Sequence, residues 1–193
     1  SETVWRQADN YGVPRIAYIN KMDRTGADFM NVIGMMKDRL ATKPALLQLP
    51  IGAEDHFTGL IDLVEMNAVF FNEDDNGINP TVGEIPAEMR EEAELYRDEL
   101  LHLAADFDDV LLEKVLMEEP VTADELRAAI RKCCISCSIT PVTCGASFKN
   151  KGVQPLLDAI IEYLPSPLDI PAIKGHDLKT GEPVERPADP KAP

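Results

Sequence analysis

Apolar positions along this chain alternate between short continuous runs and a three-and-four spacing, and that alternation predicts most of its elements. Residues 1–10 read as the end of a helix, with Gly12 where a C-terminal cap belongs and Pro14 after the stop. Residues 15–19 (RIAYI) form a nearly continuous apolar run, as expected for a strand buried on both faces of a parallel sheet. Asp28 can cap a helix in which Phe29, Val32, Ile33, Met36 and Leu40 share one face. Residues 45–50 (ALLQLP) predict a second strand and residues 139–144 (ITPVTC) a third. A helix over 151–164 follows, with Val153, Leu156, Leu157, Ile160 and Ile161 expected to pack inward. Strands and helices alternating in this way predict an α/β fold built from βαβ units.

The middle of the chain breaks that rhythm. Residues 59–71 (GLIDLVEMNAVFF) have strand-like composition and can form an antiparallel pair, whereas 72–87 are turn-rich. Met89, Ala93, Tyr96, Leu100, Leu103, Ala104 and Phe107 then mark an amphipathic helix whose other face carries Glu91, Glu94, Asp98 and Glu99. A shorter helix is predicted over 109–117. Thr122 and Glu125 have the spacing of a capping box for a third helix, with Leu126, Ala129, Ile130 and Cys133 on its inner face. The middle therefore reads as an α+β insertion. From Pro165 onward the chain holds 7 of its 15 prolines and no helical period, the pattern of an extended linker.

Charge sharpens this division. The 193 residues carry a net charge of −15, which argues against binding nucleic acid through counterion release. Between Pro50 and Glu125, however, 22 acids face 3 bases, a local charge of −19, and the remainder sums to +4. A mildly basic frame thus carries a very acidic insertion, which suits a basic protein partner better than nucleic acid. No stretch approaches the roughly 18 apolar residues of a membrane span, and no secretory signal opens the chain. With four cysteines unaccompanied by any such signal, a cytoplasmic, reduced protein is expected. Ser1 stands in place of an initiator Met within a predicted helix, which points to a piece of a longer chain.

The sharpest chemical signal is Asn20-Lys21-Met22-Asp23, directly after the first predicted strand. Ligands of open α/β sheets bind at the carboxyl ends of strands. There an Asp23 carboxylate can accept from both N1–H and the 2-amino group of guanine, donors that adenine does not offer at those positions. Lys21 can lay its aliphatic stem over the base. Asn20 can tie the loop to its neighbours. A second loop, 144–152 (CGASFKNKG), follows the third strand, so a backbone N–H among Ala146, Ser147 and Phe148 can reach guanine O6.

Other patterns are weaker. Cys133, Cys134 and Cys137 include one C-x-x-C, but Cys133 and Cys137 share an apolar helix face, so no metal site is expected. Asn72-x-Asp74-x-Asn76-Gly77 imitates the opening of a calcium loop, yet its twelfth position is Gly83 rather than Glu. Asp9-Asn10-Tyr11-Gly12 matches D-x-x-G by letters but falls at a helix end. His56, His102 and His176 are scattered and form no catalytic pair.

Together, residues 1–29 (SETVWRQADNYGVPRIAYINKMDRTGADF), LPIGAEDHFTGLIDLV, GASFKNKGVQPLLDAIIEYLPSP and DIPAIKG resemble bacterial elongation factor G, the GTPase of ribosomal translocation. The resemblance spans about residues 1–175. It implies a phosphate-loop-type G domain whose Asn20, Lys21, Met22 and Asp23 loop reads guanine, with Ala146, Ser147 and Phe148 completing the pocket. It also implies GTP or GDP as cofactor with Mg²⁺, the ribosome as partner, and an acidic subdomain that docks the ribosomal stalk protein; Glu91, Glu94 and Asp98 are candidates for that contact. The family reads Gly-Ser-Ala-Phe where this chain has Gly145-Ala146-Ser147-Phe148, so the backbone donor passes to Ser147.

The resulting partition is residues 1–50 and 138–165 as parts of a G domain, 51–137 as the insertion, and 166–193 as a linker. No G-x-x-x-x-G-K-[ST] phosphate loop occurs in the 193 residues, so GTP hydrolysis is expected of the parent protein and not of this piece alone. Two alternatives are a nucleotide-free interaction module and the same region of a release or ribosome-protection GTPase.

Overall fold

A computed structural model describes residues 2–72, 77–169, 172–176, 180–186 and 188. The chain begins with helix α1 (Glu2–Asn10), strand β1 (Ala17–Ile19) and helix α2 (Phe29–Leu40). The Asp28 side chain caps α2 by accepting from the Asn31 N–H, as its position in the sequence predicts. Strand β1 is shorter than the apolar run and only half-buried at Ala17 and Tyr18. Arg15 is drawn out of the strand to α1, where its guanidinium stacks on Trp5 at 4.4 Å and pairs with Asp9. That pairing occupies the Asp of the letters-only D-x-x-G.

The run 45–50 is not one strand. It divides at Leu47 into β2 (Pro44–Leu46) and β3 (Gln48–Ile51), which belong to different sheets. Leu47 joins them: its N–H donates to the Val142 carbonyl at 3.0 Å and its carbonyl accepts from Leu63 at 2.9 Å. An apolar run buried throughout does not reveal such a change of partner.

Strand β3 opens an antiparallel sheet with β4 (Gly59–Asp62), β5 (Asn67–Phe70) and β6 (Thr81–Gly83), in the order β3-β4-β5-β6. Strand β6 lies within the segment expected to be turns. Its outward Thr81 and Val82 leave it with no apolar alternation to detect. Three helices follow: α3 (Arg90–Ala105), α4 (Asp109–Leu116) and α5 (Ala123–Ile135). Thr122 and Glu125 form the full capping box, and Leu126, Ala129, Ile130 and Cys133 are buried as expected. Cys137 is not on the α5 face. It lies beyond the helix end at φ +59°, in the left-handed turn that terminates α5. Phe107 also lies past its helix and is partly exposed, with the Lys43 ammonium 4.7 Å from its ring centre.

The chain then returns to the first sheet as β7 (Thr140–Cys144), which runs parallel between β1 and β2 and is buried along its whole length. Helix α6 (Val153–Tyr163) follows with a different inner face from the one expected. Ala159 and Tyr163 are buried, while Leu157 is 53% and Ile161 77% exposed, and Ile160 is also turned outward. Periodicity identifies an apolar stripe but not which edge of it meets the core. Within the proline-rich end, β8 (Ile173–His176) and β9 (Pro183–Arg186) pair as a two-stranded antiparallel ribbon. One apolar cluster runs from Ile19 through Leu60, Leu100 and Ile130 to Tyr163, so both sheets and their helices share a core. The fold is mixed α/β, a parallel sheet joined to an antiparallel sheet with helices.

Candidate functional site

Strands β1 and β7 pair in parallel with Ile19 opposite Cys144, so the loops that leave their carboxyl ends start side by side. Asn20 ties these loops together. Its side-chain Oδ1 accepts from the Lys21 N–H at 2.8 Å, the Ser147 N–H at 3.0 Å and the Ser147 hydroxyl at 3.1 Å. The hydroxyl sits one position later than in the Gly-Ser-Ala-Phe order and still reaches the other loop. Lys21 turns the chain with φ +65°. Met22 is buried as a peg, and its N–H donates to the Gly145 carbonyl at 3.0 Å. Asp23 is 10% exposed at its side chain, with the Lys149 ammonium 3.4 Å from its carboxylate. The first loop therefore presents a sheltered carboxylate beside a cation.

The second loop owes its shape to glycine. A side chain at Gly145 would lie 2.3 Å from the Lys151 carbonyl oxygen and 2.3 Å from the Tyr18 hydroxyl. Gly152 has φ +81°, and a Cβ there would meet the Cys144 carbonyl oxygen at 2.5 Å. Between them Ala146 is buried, Ser147 begins a short 3₁₀ turn, and Phe148 is 95% exposed. The structure thus brings Asn20, Lys21, Met22 and Asp23 together with Ala146, Ser147 and Phe148. Glu91, Glu94 and Asp98 lie on the exposed face of α3 and are not among the residues that join these two loops.

Two supporting residues fall within stretches singled out in the sequence but receive no role from it. Lys151 is 3% exposed, and its ammonium donates to the Phe57 carbonyl at 3.0 Å. Its own carbonyl accepts from the Ala146 N–H at 2.8 Å and the Tyr18 hydroxyl at 3.3 Å. Glu54, in the β3–β4 connection, contacts the first loop through both backbone and side chain. The available signal was Gly52 followed by acidic residues straight after a strand.

Residues 1–166 match the family model of the elongation factor Tu GTP-binding domain. The chain belongs to this family. It is a GTP-binding-type domain of the translation-factor GTPase class, and its paired loops occupy the carboxyl ends of adjacent parallel strands. It is also similar to a protein of Thermus thermophilus whose crystal structure is known, with 28% sequence identity and a TM-score of 0.76. That similarity covers 95% of this chain and 28% of the Thermus thermophilus chain, so the present chain spans just over a quarter of that protein's length.

The cysteines lie outside this site's chemistry. Burial pushes the Cys133 and Cys134 thiols up to about 11 and Cys144 to about 12, so all three stay protonated at neutral pH. No cluster of three His, Cys, Asp or Glu side chains suited to a metal ion occurs among the described residues. In the calcium-like sequence, Asp74 and Asn76 lie outside the described residues; Gly77 closes a turn by donating to the Asn72 carbonyl at 2.9 Å. No helix among the described residues is long and apolar enough to cross a membrane.

Proposed function

We propose that this chain is the guanine-reading part of a ribosomal translocation GTPase of the elongation factor G type, working in the cytoplasm. Residues 1–50 and 138–165 belong to its G domain, and 51–137 form an inserted acidic subdomain. The Asp23 carboxylate accepts from N1–H and the 2-amino group of guanine, the Lys21 stem covers the base, and Asn20 holds the two loops in register. The turn at Ala146, Ser147 and Phe148 closes the pocket, and Met22 anchors it from below. The observation that carries this reading is the set of bonds from Ser147 to Asn20 Oδ1, which joins both candidate loops beside a sheltered Asp23. A carboxylate held in place next to a cation matches the paired donors of guanine and mismatches adenine.

GTP or GDP is the cofactor in this reading. Mg²⁺ and hydrolysis are assigned to parts of the parent protein other than these residues, since no phosphate loop occurs among the 193. The acidic face of α3, with Glu91, Glu94 and Asp98, is assigned to the ribosomal stalk protein.

The test is Asp23→Asn in the full-length protein that carries this chain, with equilibrium binding of guanine and xanthine diphosphates as the readout. Asparagine presents an N–H where xanthine has an oxygen. Guanine affinity is expected to fall about a hundredfold, with xanthine affinity rising. Unchanged preference for guanine would overturn the assignment.

A further inference from the structure

Residues 22–26, which carry Asp23, are clamped at both ends by one residue of the β3–β4 connection. The Glu54 N–H donates to the Met22 carbonyl at 2.8 Å, and the Glu54 carboxylate accepts from the Gly26 N–H at 2.6 Å. Gly26 sits at φ +82°, a turn that leaves its N–H free to point at this partner. Glu54 itself adopts φ +56°, an uncommon conformation for a residue with a side chain. Its surroundings hold it there. Gly52, at φ +76°, packs so closely that a Cβ would lie 2.0 Å from the His56 carbonyl oxygen, and the Phe57 N–H closes back on the Glu54 carbonyl at 3.1 Å. Phe57 is buried, and its carbonyl receives the Lys151 ammonium from the second loop. The β3–β4 connection is therefore a built support that reaches both loops of the site.

We propose that Glu54 is a positioning residue for guanine specificity, setting the angle of the Asp23 carboxylate without touching the base. The proposal rests on the guanine reading above. A bidentate contact depends on placement to within a fraction of an ångström, so loosening the segment that carries Asp23 weakens that contact first. Because β4 and β5 continue from this connection into the acidic half, the same support links that half to base recognition.

The experiment compares GDP with inosine diphosphate, which lacks the 2-amino group, in the full-length protein that carries this chain. Glu54→Ala is expected to lower the GDP-to-inosine-diphosphate affinity ratio about tenfold, with inosine diphosphate, which keeps only the N1–H contact to Asp23, losing less affinity than GDP. Glu54→Gln keeps a carbonyl acceptor for Gly26 and is expected to restore most of the ratio. Glu54→Asp, a methylene shorter, is expected to behave like the alanine variant and serves if that variant folds poorly. Loss of melting temperature with an unaltered ratio in all three variants makes Glu54 merely structural and overturns the proposal. Asp23→Asn measured alongside separates the two failures. If it leaves the ratio intact, the guanine reading itself fails. If it collapses the ratio while the Glu54 variants do not, only the positioning role fails.

Discussion

A methyl group on Gly145 would lie 2.3 Å from both the Lys151 carbonyl oxygen and the Tyr18 hydroxyl. The carbonyl is backbone already bonded to Ala146 and cannot retreat cheaply. Gly145→Ala is therefore expected to cost about 1–3 kcal/mol in chemical denaturation, with the second loop displaced. Gly34, inside α2, has nothing within 4 Å of a would-be Cβ and no positive φ. Gly34→Ala is expected instead to stabilise the protein by about 0.5–1 kcal/mol, and equal effects at the two positions would refute this account. Sequence patterning singles out Asn20 and Asp23 because the order Asn-Lys-x-Asp directly after a strand is a specific pattern. It passes over Glu54 because a glutamate near a turn is unremarkable until its partners Met22 and Gly26 are known.

Helix α5 shows how local and distant effects combine within an element. Lys114 and the Thr122 backbone and hydroxyl hold the Glu125 carboxyl down to about 2, against 4.5 for the unperturbed group. A group whose pKa is lowered by folding stabilises the fold above its unfolded pKa, and that contribution is lost as pH falls through the folded value. The window is therefore about pH 4.5 down to 2. Glu125→Gln is expected to flatten the loss of melting temperature across that window and to leave the slope at higher pH unchanged. Thr122→Ala, which removes the reciprocal cap, is expected to cost about 1 kcal/mol at neutral pH. The capping box is readable from the sequence because its two residues are three apart. The facing of α6 is not, since Leu157 and Ile161 belong to the same stripe as Leu156, and packing against α5 and β7 buries the edge with Ala159 and Tyr163.

At the scale of the molecule, the −19 between Pro50 and Glu125 falls on the antiparallel sheet and its connections, α3, α4 and the first turn of α5. Several of its acids are engaged internally: Lys132 holds the Asp108 carboxyl below its usual range, and Arg127 binds Glu65 and Asp124. Glu91, Glu94 and Asp98 remain on an exposed helix face. Reversing all three to Lys is expected to weaken binding of the full-length protein to the stalk protein about tenfold at low salt, with the difference shrinking as salt rises. Identical affinities at low ionic strength would remove this face from the interface.

What the sequence determined by itself was local: capped helices, the strand-then-loop setting of Asn20-Lys21-Met22-Asp23, the concentration of acid and the absence of a phosphate loop. Each depends on residues a few positions apart, where spacing and side-chain chemistry suffice. Tertiary structure decided which elements meet. It placed Cys144 beside Ile19, split 45–50 at Leu47 between two sheets, paired Thr81–Gly83 as an edge strand and turned Leu157 and Ile161 outward. It also carried Glu54 to the loop that holds Asp23. Pairing between distant segments follows from the packing of the whole core, and a periodic pattern within one segment holds no record of it.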